Sequence, residues 1–254
     1  MHRTIEPAIL YFGTAVVLVS SENEDGTTNV APMSSAWWLG WSCMLGFGAR
    51  SQTPANILRT RECVLNLPSV DQVDAVDRLA RTTGSNPVPP HKVAMGYRYE
   101  PDKLGTGGLT PMPSEVVSPP RLRECPVQLE ATLEAVHPIA ASEPERAGKL
   151  VGLEVRIRRV HVDESLILAG TTDRIDPLKW RPLIMSFCQF FGLADGFVQP
   201  SRLAEIPESM YRPQPARPVV ATTLEFPAAA ALRETGNTAA SATTLHFSTA
   251  GSAS

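Results

Sequence analysis

The chain has 254 residues, 43% of them hydrophobic and 19% charged, which suits one domain of ordinary size with an appendage. Its 23 Lys and Arg against 26 Asp and Glu give a formal net charge of -3, without the basic excess that marks nucleic-acid binders. No run approaches the roughly 20 apolar residues of a spanning helix, and His2, Arg3 and Glu6 do not fit a signal peptide, so a cytoplasmic protein without membrane or nucleic-acid partners is expected.

Twenty-three prolines and seventeen glycines cut the sequence into short pieces, most with strand periodicity, so a mainly β fold with a few short helices is expected. Tyr11 to Ser20 is aromatic and β-branched and leads to Glu24-Asp-Gly26, where glycine accepts the positive φ of a hairpin turn. A second strand should return from Thr27. Trp37 to Phe47 reads as a third strand and Cys63 to Leu67 as a fourth. Between these, Thr53 followed by Pro54 carries the N-cap and first-turn signature of a helix through Asn56 to Leu58. Ser69 opens another short helix with Val73, Val76, Leu79 and Ala80 on one face.

Further on, Val127, Leu129, Ala131, Leu133 and Ala135 alternate with polar residues, the pattern of a strand with one wet face. Val151, Leu153, Val155 and Ile157 alternate in the same way, and the phase jump to Val160 and Val162 predicts a β-bulge near Arg158 and Arg159. Long bulged strands feeding one core favour a small barrel over an open sheet. In the segment 212–254, 26 of 43 residues are Ala, Thr, Ser or Pro; residues 1–211 are therefore expected to form the domain and the rest a disordered tail.

Cys43, Cys63, Cys125 and Cys188 show no CxxC spacing and no histidine at ligand spacing, which argues against zinc and against a disulfide framework. Cys43, Cys63 and Cys188 lie among apolar neighbours and read as core residues. Cys125, in Arg-Glu-Cys-Pro, is the one candidate reactive thiol and still reads as structural, because no histidine is near enough in sequence to activate it. Gly105-Thr-Gly-Gly108 has no third glycine at the spacing a dinucleotide loop requires, and no strand and helix flank it. Arg50-Ser-Gln-Thr-Pro-Ala-Asn56 places a cation, two hydroxyls and an amide at a helix start, which is either an anion site or an ordinary cap. Asn29-Val-Ala-Pro-Met-Ser-Ser35 is small, polar and proline-bearing inside strand-like sequence. It reads equally as an edge that hydrogen-bonds a flat heterocycle and as a bulged loop.

Taken together, Tyr11-Phe-Gly-Thr14, Asn29-Val-Ala-Pro-Met-Ser-Ser-Ala-Trp37 and Ser51-Gln-Thr-Pro-Ala-Asn56 resemble the flavin reductase-like, FMN-binding split-barrel family. Gly108-Leu-Thr-Pro-Met-Pro-Ser-Glu-Val-Val117 and Pro119-Pro-Arg-Leu-Arg-Glu-Cys-Pro-Val-Gln-Leu-Glu130 are similar to flavoredoxin-like members, and Trp180-Arg-Pro-Leu183 resembles the family's closing strand. The resemblance implies a six-stranded split β-barrel that dimerises, with FMN near the subunit interface. Ser51, Thr53 and Asn56 would hold the phosphate, with Arg50 supporting the charge. The segment Asn29 to Ala36 would face the isoalloxazine, with Ala31, Ser34 and Ser35 meeting it through backbone and hydroxyl groups. Trp37 and Trp38 are either a wall of the flavin site or core.

The activity implied is an FMN-dependent oxidoreductase that moves hydride from NADH or NADPH to flavin and on to free flavin or another acceptor, with a monooxygenase or other redox protein as partner. A flavoredoxin-like electron carrier and a non-enzymatic FMN-binding dimer are the alternatives. No catalytic side chain or metal is implied, since the flavin carries the chemistry. Two departures bear on this reading. Arg146-Ala-Gly-Lys-Leu150 stands where many members have a Gly-Asp-His associated with nicotinamide, and Trp41-Ser-Cys-Met44 replaces the usual double proline.

Overall fold

A computed structural model describes residues 1–205 except 197 and 200, and the expected tail from 212 lies outside the described residues. In chain order the first elements are β1 (Phe12–Ala15), β2 (Val17–Glu22), β3 (Thr28–Met33), β4 (Ala36–Leu39), β5 (Ser42–Gly48), α1 (Gln52–Thr60) and β6 (Glu62–Leu67). A middle region of short pieces follows: α2 (Val73–Leu79), β7 (Thr82–Thr83), α3 (Pro90–Ala94), β8 (Arg98–Tyr99), α4 (Lys103–Gly107), β9 (Pro111–Met112) and β10 (Arg121–Leu122). Two long strands, β11 (Val127–Ile139) and β12 (Leu150–Val162), then precede the hairpin β13 (Ile184–Ser186) and β14 (Gln189–Phe191).

Seven strands form one antiparallel sheet in the order β3-β2-β6-β11-β12-β5-β4. Its two edges, β3 and β4, are consecutive in the chain and joined only by Ser34 and Ser35. Three Cα steps of about 3.8 Å span at most about 11 Å, so the sheet must curl until its edges nearly meet. Among the described residues no ladder pairs β3 with β4, and the barrel stays open along this seam. On the β4 side of the gap the Ser35 carbonyl accepts from the Gly46 N–H at 2.8 Å, which carries the β4–β5 pairing one residue into the linker. The mainly β split barrel expected from the resemblance is thus what the chain forms.

Neighbouring side chains on a strand point to opposite faces, and both faces of β2 are covered. Val17 and Val19 join Leu45, Leu65, Leu153 and Val155 inside the barrel, each 0% exposed. Leu18 turns outward to Val76, Leu79, Leu122 and Leu183 beneath α2. Burial of each such side chain stabilises the fold by about 1.5–3 kcal/mol. The predicted bulge is present: Glu130 opposes Arg159 and Ala131 opposes Ile157, which leaves Arg158 as the extra residue.

Three local expectations are corrected. Trp37 to Phe47 is a hairpin, because Gly40 adopts φ 57 and turns the chain between Leu39 and Ser42; this adds the short β4 to the expected six strands. The N-cap of α1 is Ser51 and not Thr53, since a turn from Gly48 to Ser51 starts the helix two residues earlier. Cys188 is exposed, because Phe187 and Cys188 take φ 47 and 61 in the tight turn between β13 and β14. The other three cysteines are buried, and burial pushes their thiols up, that of Cys43 to about 12. Ser69 caps its helical turn as predicted, with a reciprocal bond to Gln72. No described helix is long and apolar enough to cross a membrane.

Candidate functional site

The seam opens into a cavity of about 360 Å³. One wall is β3 with the linker that follows it, from Asn29 through Ala31 to Ser34 and Ser35; another is Gly46 to Gly48 of β5. The start of α1 contributes Ser51, Gln52 and Thr53, and the short middle elements contribute Thr82, Thr83, Gly84, Lys92, Tyr97 and Lys103. Close approach of these backbones depends on two glycines. A Cβ at Gly84 would lie 2.5 Å from Asn29 Oδ1, and one at Gly46 would lie 3.1 Å from Ser35 Cβ.

Polar groups on the helix side are held in fixed positions. Asn29, 2% exposed, donates from Nδ2 to Thr53 Oγ1 at 3.0 Å, which leaves the Thr53 hydroxyl hydrogen to point elsewhere. Ser51 caps α1 by position only, its hydroxyl making no cap bond, so the N–H groups of the first turn remain unclaimed by it. Lys92 Nζ sits 3.3 Å from Thr83 Oγ1 and 3.5 Å from Ser51 Oγ, 5.6 Å from the Tyr97 ring centroid, and burial lowers its pKa. Lys103, 2% exposed, donates to Thr82 Oγ1, and burial pushes its ammonium down to about 8 against the opposing pull of Glu100.

Among the described residues no aspartate or glutamate lines this cavity. Its two lysines and the positive end of α1 make one end anion-seeking, while Ala31, Pro32, Met33 and Phe47 give the other end an apolar surface. The arrangement fits a ligand with a flat apolar body and an anionic tail, and its volume lies within the range of small-molecule pockets. Among the described residues no group of His, Cys, Asp and Glu could hold a metal.

Of the residues singled out in the sequence, Asn29, Ala31, Ser34, Ser35, Ser51 and Thr53 come together here. Asn56 does not. It is 1% exposed, donates to Ser21 Oγ at 3.1 Å and Asn23 Oδ1 at 2.9 Å, and accepts from Gln52 at 2.9 Å, so its amide ties α1 to the end of β2. Ala36 is buried in the barrel core. Arg50 is exposed and lines a neighbouring recess with His91 and Lys149. Trp37 lies on the outside and Trp38 packs against the core, and neither lines the cavity. Thr82, Thr83, Gly84, Lys92 and Lys103 escaped the sequence reading. The small hydroxyl-glycine run Thr82-Thr-Gly-Ser85 was the available signal, whereas the lysines carried none.

Comparison with known proteins agrees with this geometry. Residues 9–174 match the family model described as flavin reductase like domain. Uncharacterized protein YdfE of Bacillus subtilis (strain 168) is 40% identical over 191 residues, covering 75% of this chain and 89% of that one. Among solved structures, flavoredoxin of Desulfovibrio vulgaris (Miyazaki F) superposes with a TM-score of 0.63 at 20% identity, over 80% of this chain and all of its own. Nitrilotriacetate monooxygenase component B from Bacillus cereus gives 0.59 at 23% identity, over 76% of this chain and 89% of its own. With well over half of its length matched by that model, the chain belongs to the flavin reductase like family.

Proposed function

We propose that the chain is an FMN-dependent oxidoreductase of the flavin reductase type. The observation that carries this reading is the carboxylate-free cavity, cationic at the α1 end and apolar at the β3 end. When bound, FMN would supply the redox chemistry of hydride transfer from NADH or NADPH and electron transfer to free flavin or another acceptor. The residues themselves bind and orient. Ser51 and Thr53 would donate hydroxyl bonds to the phosphate, and Lys92, 3.5 Å from Ser51 Oγ, would supply charge at the same end. Asn29 fixes Thr53 through the bond to its oxygen. Ala31, Ser34 and Ser35 would face the ring, and Tyr11 OH lies 3.3 Å from Ser35 Oγ beside them.

A homodimer belongs to this proposal. Trp37, Leu39 and Trp41 crowd the tip of the β4–β5 hairpin and are 57%, 76% and 39% exposed, an apolar patch suited to a second copy. A monooxygenase is one class of electron acceptor, in keeping with the component B proteins that share the fold. An electron-carrier role is the second reading, favoured by Arg146 to Leu150 standing where a nicotinamide motif would be expected.

Flavin fluorescence titration tests the binding: saturable FMN uptake at micromolar concentration is expected, and its absence sinks the proposal. Anaerobic mixing then separates the two roles. Bleaching by NADH or NADPH supports the reductase, whereas bleaching by dithionite alone replaces it with the carrier.

A further inference from the structure

We propose that the hydride donor is NADPH, and that a recess beside the seam cavity, walled by Arg50, His91 and Lys149, takes its phosphate-bearing adenosine end. This names the donor for the oxidoreductase reading above and rests on that reading.

Three separate segments converge on this recess of about 440 Å³. Leu150 at the start of β12 pairs with Gly48 at the end of β5, and the Lys149 carbonyl accepts from the Ala49 N–H at 2.9 Å, so Lys149 is fixed beside the turn that carries Arg50. The Ser51 N–H closes that turn by donating to the Gly48 carbonyl at 2.9 Å. His91 comes from α3, which Lys92 ties to Ser51 at 3.5 Å. Among the described residues no carboxylate lines the recess, and none of Arg50, His91 and Lys149 has a side-chain hydrogen bond or an ion pair. Arg146, in the same loop as Lys149, is by contrast spent on Glu143 at 3.3 Å.

The chemistry of these groups selects the ligand. An unpaired guanidinium and an unpaired ammonium make a phosphate subsite, and the imidazole of His91 offers a face on which a purine stacks. Gly48 and Leu150, with the aliphatic stems of Arg50 and Lys149, supply apolar wall. A phosphate monoester carries about −1.5 to −2 charge at neutral pH; NADPH has such a group on its adenosine ribose and NADH does not. The other recess adjoining the seam cavity sets three carboxylates, Glu24, Asp25 and Glu100, against the single Lys103, and disfavours the same group. Arg50, expected from the sequence to support the flavin phosphate, serves the donor instead.

Position agrees with this choice. The recess shares Gly48 and Ser51 with the seam cavity, and Gly48 is two residues, about 7 Å, along β5 from Gly46 beside Ser35. A dinucleotide anchored by its adenosine end spans that distance with its nicotinamide turned toward the seam. NADPH would give one hydride, with its electron pair, to the flavin and leave as NADP+. Arg50, His91 and Lys149 act only at the far end of the donor and move no proton or electron.

The test is calorimetric titration of the FMN-loaded chain, so that the anion-seeking end of the seam cavity is filled, with NADP+ and NAD+ and with adenosine 2′,5′-bisphosphate and 5′-AMP. Wild type should bind NADP+ at least about 10-fold more tightly than NAD+, and the bisphosphate should show the same preference over 5′-AMP. Lys149→Ala and Arg50→Ala should each cut that preference at least about threefold, and the double variant should bring it within about twofold of none. FMN affinity of Lys149→Ala should stay within about twofold of wild type, which separates loss of the recess from loss of the fold. Equal wild-type affinity for NADP+ and NAD+ overturns the proposal, as does a preference that survives both substitutions. Binding of FMN with no binding of either dinucleotide overturns it too and leaves the electron carrier standing. Failure of the chain to take up FMN at all overturns the flavin reading itself.

Discussion

Lys103 and Glu130 are both buried charges, and the fold surrounds them in opposite ways. Glu130, 0% exposed on β11, accepts from the Glu115 N–H at 2.8 and 3.0 Å and from the Val116 N–H at 2.6 Å, lies 2.7 Å from His161 Nε2, and has Arg121 at 3.8 Å. Burial pushes its carboxyl up, but the two amides and His161 outweigh that and hold it below the ordinary carboxylate range. Lys103 has one hydroxyl. A complete shell makes a buried charge part of the scaffold, whereas an incomplete one leaves bonding capacity for something that arrives later. The same test sorts the amides. Asn66 donates to the Leu18 carbonyl at 3.0 Å and Ser20 Oγ at 3.1 Å and accepts from the Leu122 N–H at 2.8 Å, and it is scaffold.

The largest effect should come from breaking the complete shell. Glu130→Ala leaves two amides and His161 without their acceptor and should cost about 3–5 kcal/mol in denaturant unfolding. Its pH signature has a definite sign. A carboxyl whose folded pKa is lowered stabilises the protein above its unfolded pKa, and that contribution is lost as pH falls through the folded pKa. Acid titration of wild-type stability should therefore steepen below the normal glutamate range, and Glu130→Gln should flatten it.

Gly84→Ala acts on the incomplete side. Its Cβ would meet Asn29 Oδ1 at 2.5 Å, so Asn29 must move and release Thr53. A loss of about 1–3 kcal/mol is expected, with FMN affinity reduced in the fluorescence titration. Asn56→Ala sharpens the contrast. Asn56 belongs with Glu130 and not with Lys103, so its loss should cost about 1–2 kcal/mol of stability while the FMN-to-riboflavin affinity ratio stays unchanged. An altered ratio would return Asn56 to the phosphate. Cys188→Ser, on an exposed turn, should change stability by less than about 0.5 kcal/mol. In the native protein a thiol reagent should label Cys188 well before the three buried cysteines.

Where a pattern was local, the sequence was readable. The alternation from Val127 and the phase jump at Arg158 located both long strands and their bulge, because side-chain direction along a strand has a fixed period. The segments Asn29 to Ser35 and Ser51 to Thr53 stand out in the sequence because polar, proline-bearing residues conflict with packing, and the fold brings both to one cavity. The turn at Gly40 was hidden by apolar residues on both sides of it. Asn56 has the right chemistry for a phosphate but lies one turn further along α1, where Ser21 and Asn23 claim it. Lys92 and Lys103 sit on helices of five residues with no periodicity to mark them, and their meeting with Ser51 and Thr82 is a property of the folded chain alone.

Most strands of the barrel have a neighbour on each side, but β3 and β4 each have one, with only Ser34 and Ser35 between them. Opening along that line breaks no ladder bond between the two edges, so local unfolding there has a lower free energy than at β6 or β11, and their backbone amides should exchange sooner with deuterated solvent. A flavin seated against Ala31 and Gly46 would serve as the missing rung, and its binding would be felt as slowed exchange on two strands that never touch through their own backbones.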